Sequence, residues 1–207
     1  MKVMKKRILF LVLAVLMILP ASIFAVDLIG FRLGPTAMLN VPFNPENIPE
    51  DFFEELSFDD FSFGVDARLN LAVFEVNVLA LVDPLLNGSN EMVGALVQAN
   101  VGAGVSIALF DMVRLGLFAG PSLSFVVDNG SFIPGPGFPL TEDDLFASNL
   151  FLRAAVDVML GGISVGATYI VDTNTNLNNM FLPGFELVEL LDNVIGKAGV
   201  SVLFEVF

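Results

Sequence analysis

Residues 93–109 read VGALVQANVGAGVSIAL, and every second residue of this run, from Val93 to Leu109, is apolar. Residues 113–127 read VRLGLFAGPSLSFVV and repeat the alternation after a three-residue break. Successive side chains of a β-strand point to opposite faces, so a two-residue period predicts strands. We therefore predict two long strands that form a hairpin.

The two faces of these strands differ in a way that is typical of a membrane protein. One face is continuously apolar, whereas the other is mostly small or polar, with Gln98, Asn100 and Ser106 among its residues. In a membrane β-barrel the apolar face contacts lipid and the polar face lines a narrow interior. The hairpin therefore predicts a barrel with lipid outside.

The composition limits the chemistry that this chain can perform. The 207 residues suffice for one domain, and they combine a mean hydropathy of +0.79 with a formal net charge of −14. The sequence holds no cysteine and no histidine, which removes disulfides, thiolate metal sites and the commonest general base. No nucleophile–base pair can be assembled from its serines. We expect no enzyme, no cofactor and no metal site.

Residues 1–25 have the pattern of a secretory signal peptide. Four basic residues, Lys2, Lys5, Lys6 and Arg7, precede an apolar run over residues 8–19, and cleavage is expected after Ala25. The alternative is an uncleaved inner-membrane anchor, although the run is short of the roughly 20 residues that a spanning helix needs.

Cleavage would leave a strongly acidic protein. Four of the nine basic residues lie in the leader and all 23 acidic residues lie beyond it, so the mature net charge is 5 − 23 = −18. A nucleic-acid partner is not expected for such a chain.

The rest of the chain continues the same pattern as a series of strands and loops. Residues 26–207 hold eight predicted strands, at about 26–37, 61–71, 75–82, 93–109, 113–127, 148–160, 163–171 and 194–207. Short turns near residues 73, 111 and 161 alternate with four long acidic loops at 38–60, 83–91, 128–147 and 172–193. An open sheet edge in lipid leaves backbone groups unpaired, so the last strand must pair with the first. We predict an all-β fold, an eight-stranded antiparallel up-and-down transmembrane β-barrel.

With eight strands and this loop pattern, the mature chain resembles the small eight-stranded outer-membrane β-barrels, the group that includes the OmpA transmembrane domain, OmpX and OmpW. The terminal Phe207 looks like the C-terminal aromatic that the outer-membrane assembly machinery reads in that family. The resemblance implies the outer membrane of a diderm bacterium, with contacts to outer-membrane lipid and to the assembly machinery. Strict alternation along the last strand places Phe207 on the inward face, with Glu205.

Charged and polar residues gather on the inward faces of the predicted strands. The interior network is predicted to contain Arg32, Asp66, Arg68, Glu75, Asn77, Gln98, Asn100, Arg114, Arg153, Asp157, Lys197 and Glu205. The interior of an eight-stranded barrel is just wide enough for side chains, and buried charges must pair. The network is either a salt-bridged plug, which we favour, or an ion path with a gate.

The loops leave two further alternatives open. Acidic clusters such as 142–144 could collect Ca²⁺ or Mg²⁺, but they lack a dedicated calcium-loop pattern and a solvated acidic surface is favoured. Apolar loop residues either pack over the barrel mouth or bind a partner or lipid: Phe52, Phe53, Met180, Phe181 and Phe185.

The leading functional hypothesis is a non-enzymatic integral outer-membrane protein with a structural or surface-interaction role and an unidentified surface partner. The alternative is a porin-like narrow channel or transporter for small apolar solutes or ions. A soluble periplasmic lipid-binding barrel is a third possibility, which would require the opposite facing, with an apolar interior and a polar exterior.

Overall fold

The computed structural model describes residues 29–42, 49, 51–52, 54, 56–89, 91–109, 112–128, 130–135, 141, 146–180 and 194–207. The strands are β1 (Ile29–Pro42), β2 (Phe61–Leu71), β3 (Phe74–Leu86), β4 (Met92–Leu109), β5 (Val113–Asp128), β6 (Ser131–Pro134), β7 (Asn149–Leu160), β8 (Ile163–Asn176) and β9 (Ile195–Glu205). A 3-10 turn covers Phe58–Asp60, and a four-residue helix, α1, covers Leu177–Met180. The described residues include no helix with the length and hydropathy to cross a membrane.

Eight of the strands form a closed ring. Neighbouring strands follow the order β4-β3-β2-β1-β9-β8-β7-β5, and β4 also pairs with β5. Every pairing is antiparallel, including that of β1 with β9, where Ala37 lies opposite Val200. The predicted all-β, eight-stranded antiparallel up-and-down barrel is confirmed. The predicted leader, residues 1–25, lies outside the described residues.

The two ends of the barrel differ as the alternation of loop lengths predicts. At the short-turn end lie the β2–β3, β4–β5 and β7–β8 connections, together with the start of β1 and the end of β9. The remaining connections lie at the opposite, long-loop end. The strands run further into the predicted loops than expected, because β1 continues to Pro42, β3 to Leu86 and β8 to Asn176.

A short ninth strand, which the sequence reading placed inside the loop at 128–147, extends the sheet at the long-loop end. β5 pairs with β7 only as far as Ser122, and from Phe125 onward it pairs with β6 instead. Phe125 and Phe132 pack there with ring centroids 4.9 Å apart. The sheet of β4, β5 and β6 therefore rises beyond the ring.

The apolar face of each strand is on the outside of the barrel. Val101 is 39% exposed, whereas its neighbour Asn100 is fully buried. Alternate residues of the other strands follow the same rule, so that Val65, Val78 and Val202 lie outside. The predicted facing is therefore observed.

Glycines make room on the inner face of the hairpin. A Cβ atom at Gly102 would lie 2.5 Å from the ring of Phe151, and one at Gly104 would lie 1.9 Å from the backbone oxygen of Leu117. Real Cβ atoms do not approach other atoms so closely. Gly102 provides space for a side chain from across the barrel, and Gly104 allows close approach of a neighbouring backbone.

Adding a methyl group at Gly104 should destabilise the barrel. We expect Gly104→Ala to cost about 1–3 kcal/mol, as overpacking typically does, because the clashing atom belongs to the backbone and cannot rotate away. Urea-dependent unfolding in detergent micelles, followed by heat-dependent gel mobility, measures this cost. Gly162→Ala is the matched control, since its Cβ would meet nothing within 4 Å. Equal stabilities of the two variants would contradict this packing.

Candidate functional site

The interior of the barrel is the candidate site, because ten of the predicted network residues are almost fully buried there. They are Arg32, Asp66, Arg68, Glu75, Asn77, Gln98, Asn100, Arg114, Arg153 and Asp157. They come from β1, β2, β3, β4, β5 and β7, so residues from most of the ring meet in one place. The alternation of each strand aims these side chains inward.

Seven of these residues form a charged belt: Arg32, Arg68, Arg114 and Arg153 with Asp66, Glu75 and Asp157. Asp66 is the most heavily bonded carboxylate. It accepts from Arg68 Nη2 at 2.7 Å and from Arg153 Nη2 at 2.5 Å, and it also accepts from Ser201 Oγ at 3.1 Å. Asp66 therefore joins β2 to β7 and β9 through the interior.

The other two carboxylates connect the remaining guanidinium groups. Asp157 Oδ2 accepts from Arg68 Nη1 at 2.6 Å and from Arg32 Nη1 at 3.3 Å. Arg32 Nη2 also donates to Glu75 Oε2 at 3.1 Å. An isolated buried charge is very costly, so shared ion pairs of this kind are the condition under which seven charges can occupy a barrel interior.

Arg114 is the weakly paired member of the belt. Its Nη1 lies 3.7 Å from Glu75 Oε2, which is too far for a hydrogen bond. Both Nε and Nη1 are buried without a hydrogen-bond partner among the described residues. One belt cation thus lacks the bonding that the other three have.

An apolar layer lies on the long-loop side of the belt and consists of Met38, Leu79, Leu81, Phe151 and Ile170. The order of inward residues along the strands establishes its position. On β3, Glu75 of the belt comes first and the two leucines follow, before a further acidic residue near the loops. On β7, the inward residue next to Arg153 toward the loops is the phenylalanine. The interior therefore alternates between polar and apolar levels.

A second level of polar side chains lies between the apolar layer and the long-loop end of the barrel. Lys197 Nζ donates to Asp83 Oδ2 at 2.5 Å and to Ser62 Oγ at 2.8 Å. Gln98 Nε2 donates to Asp172 and, at 3.0 Å, to Ser122.

Sequence reasoning missed the two aspartates of this level because both fall in segments that it assigned to loops. Continuing the two-residue period finds them, since Asp83 follows Leu79 and Leu81 on β3, and Asp172 follows Ile170 on β8.

Two predictions at the C-terminal end need correction. Glu205 is exposed and makes none of the described ion pairs, because β9 ends there and the side chain lies at the open mouth of the short-turn end. Phe207 does not lie on the inward face. Its ring stacks on Phe31 of the outer face with centroids 5.9 Å apart, and Phe31 N donates to its backbone oxygen at 3.0 Å. The alternation ends with the strand, and Phe207 is free to turn outward.

The acidic residues of the described part of the chain are not arranged as a metal site. They contain no group of three or more acidic residues placed to hold a metal ion. Of the loop residues proposed to bind a partner or lipid, Phe52 is half-buried, and Phe53, Phe181 and Phe185 lie outside the described residues. The acidic cluster at 142–144 lies outside them as well.

No protein-family model and no curated protein matches this chain. Two solved structures of Ail, the attachment invasion locus protein of Yersinia pestis, are similar to it. One, a complex with the heparin analogue sucrose octasulfate, is 12% identical with a TM-score of 0.46, and the other is 10% identical with a TM-score of 0.47. Each likeness covers 86% of this chain and 96% of the other chain.

Neutralising Asp66 should be strongly destabilising. Asp66→Asn leaves Arg68 and Arg153 buried with half of their counter-charge gone, and breaking a buried pair in this way costs about 3–5 kcal/mol. Glu205→Gln makes the same chemical change at an exposed site and should stay within about 0.5 kcal/mol of the parent. Urea-dependent unfolding in micelles compares the two variants. A small effect at Asp66 would show that the belt does not hold the strands together.

Proposed function

We propose that this chain is a non-enzymatic integral outer-membrane β-barrel protein with a structural or surface-interaction role, and that its interior passes no solute. It would be exported through a cleaved signal peptide and inserted by the outer-membrane assembly machinery. The observation that carries the proposal is the inverted barrel, with apolar side chains outside and a charged belt inside.

The exterior supports insertion into lipid. Exposed aliphatic side chains continue around the ring, and they include Val78 on β3, Val101 on β4, Leu117 on β5, Val158 on β7 and Val202 on β9. A soluble protein rarely exposes a contiguous apolar patch of more than a few hundred Å². The strands of the ring have 11 to 18 residues, and about 9–11 tilted residues cross a bilayer. A soluble lipid-binding barrel would need the reverse facing.

The C-terminus supports the assembly step. The ring of Phe207 lies on the lipid-facing side against Phe31, next to the apolar outer residues Phe204 and Val206. This arrangement fits a terminal aromatic that is presented outward for recognition, as the resemblance to small outer-membrane barrels implies.

The side chains that fill the interior favour a closed barrel over a narrow channel. Arg68 and Asp66 are at most 1% exposed and engage one another, so they offer little free charge to a passing ion. The five apolar side chains next to the belt offer no ligands to replace an ion's hydration shell, and the amide side chains opposite Leu79 and Leu81 are themselves buried. An ion would have to break the pairs of the belt and then pass these buried side chains.

The long-loop end favours surface interaction as the role. The extension of β4, β5 and β6 beyond the ring presents Phe132 and Ile133, each at least half exposed. Asp51, Glu54 and Glu91 are exposed around the same end. With the interior closed, this end is the part of the molecule that is available to a partner outside the membrane.

Single-channel conductance in a planar bilayer tests the closed interior. We expect refolded protein with a heat-shifted gel mobility to stay silent in 1 M salt, because the charges of the belt are ion-paired and buried apolar side chains lie next to them. A general porin in the same bilayers verifies the assay. Discrete and reproducible conductance steps would reject the closed barrel and favour the channel.

Placing a charge on the outer wall tests insertion. Val101→Arg should cost about 2–4 kcal/mol in lipid vesicles, since it puts a guanidinium near the middle of the lipid-facing strand. The inward neighbour Asn100→Ser serves as the control, and we expect it to be mild because it keeps a small polar group inside the barrel. Urea-dependent unfolding in vesicles measures both variants. If Asn100→Ser cost more than Val101→Arg, the assigned facing would be wrong.

A further inference from the structure

We propose that the short-turn end of the interior binds a small inorganic anion of about the size of chloride, beside Arg114. This inference goes beyond the proposed function, since it depends on the charges inside the barrel and not on the membrane outside.

The charged belt contains one more cationic side chain than it has anionic side chains. It contains four guanidinium groups, on Arg32, Arg68, Arg114 and Arg153, against the three carboxylates of Asp66, Glu75 and Asp157. The nearest further acidic side chain in the described part of β9, Glu205, is exposed and its charge is solvated. A buried, uncompensated charge is among the most costly features that a protein interior can have.

The excess charge can be located at Arg114. Arg68 and Arg153 are each bonded to carboxylates at 2.5–2.7 Å, and Arg32 donates to both Glu75 and Asp157. Arg114 makes only the 3.7 Å approach to Glu75, although it is 93% buried. It lies within electrostatic range of two like charges, Arg32 and Arg68, as well as of the carboxylates of Glu75 and Asp157. A bound anion would relieve both conditions.

Four buried hydrogen-bond donors in the belt and beside it have no partner among the described residues, and Glu75 Oε1 and Asp157 Oδ1 are unpartnered acceptors of the same belt. Nε and Nη1 of Arg114, Nε of Arg32 and Oγ of Ser106 are all buried and bonded to nothing among the described residues. Ser106 is adjacent to Arg114, because Ala108 lies opposite Arg114 and Ser106 is the next inward residue of β4. These atoms are the kind of donors that coordinate a halide.

The size and the route of the anion follow from the barrel. Eight strands leave room for side chains and little more, so a large organic anion does not fit among them. Arg114 is the second residue of β5, next to the short-turn end, and the apolar layer lies on the other side of the belt. The anion would therefore enter from the short-turn end. Water alone would satisfy the donors but would leave the excess charge in place.

Chloride-dependent stability tests the proposal. The refolded protein is unfolded with urea in micelles at constant ionic strength while chloride replaces gluconate, which is too large for the site. A ligand that binds only the folded state multiplies the folding equilibrium constant by 1 + [L]/Kd, so chloride at ten times its Kd gives about an 11-fold increase. We expect this increase in the parent and its loss in Arg114→Met.

Two further variants keep the test decisive. Ser106→Ala should weaken the chloride effect without removing a charge, so it serves if Arg114→Met does not fold. Lys197→Met removes a cation from the level above the apolar layer and should leave the chloride effect intact.

Two outcomes would overturn the proposal. The first is a parent protein whose stability is the same in chloride and in gluconate. The second is a chloride effect of the same size in Arg114→Met and in the parent, because it would place the anion away from Arg114.

Discussion

The antiparallel pairing of β1 with β9 is the interaction on which the rest of the structure depends. It converts a sheet with two unpaired edges into a ring, and in a lipid environment every unpaired backbone group would cost several kcal/mol. Once the ring is closed, alternate side chains can point only to the outer surface or to the interior. Which residues become buried is then a direct consequence of strand register. The belt, the apolar layer and the polar level above it are all products of that one closure.

Closure also explains why so many charges can be buried in so small a protein. Inward side chains of different strands lie at fixed heights, so the carboxylate of Asp66 contacts one guanidinium group of its own strand, β2, and one of β7 across the interior. The pair of Asp66 with Arg153 links β2 to β7, and these two residues are 87 positions apart in the sequence. The belt thus acts as an internal cross-link, with the apolar layer beside it. As a consequence, the belt contains one more cation than it has anions, and Arg114 is its least paired member.

Much of this arrangement could be predicted because the two-residue alternation of apolar and polar residues can be read from each strand separately. Alternation alone assigns Arg68 and Asp157 to the interior and Val101 to the outer wall. It fails where the hydropathy pattern stops but backbone pairing continues. β3 and β8 extend past the apolar band, so Asp83 and Asp172 were assigned to loops although they complete the upper polar level. The strand β6 is too short to show a period. Phe207 turns outward because β9 ends before it. The pattern of apolar and polar residues does not show where that strand ends.

The most direct test of the inverted barrel is the accessibility of spin labels along β4. The chain contains no cysteine, so single cysteines can be introduced and labelled without background. In lipid vesicles, labels at Val101 and Val105 should collide with dissolved oxygen and not with a water-soluble nickel complex, whereas labels at Gln98 and Asn100 should be inaccessible to oxygen from the lipid. A two-residue alternation of this kind is what the account predicts. Nickel access at Val101 and Val105, or equal oxygen access at all four positions, would contradict it.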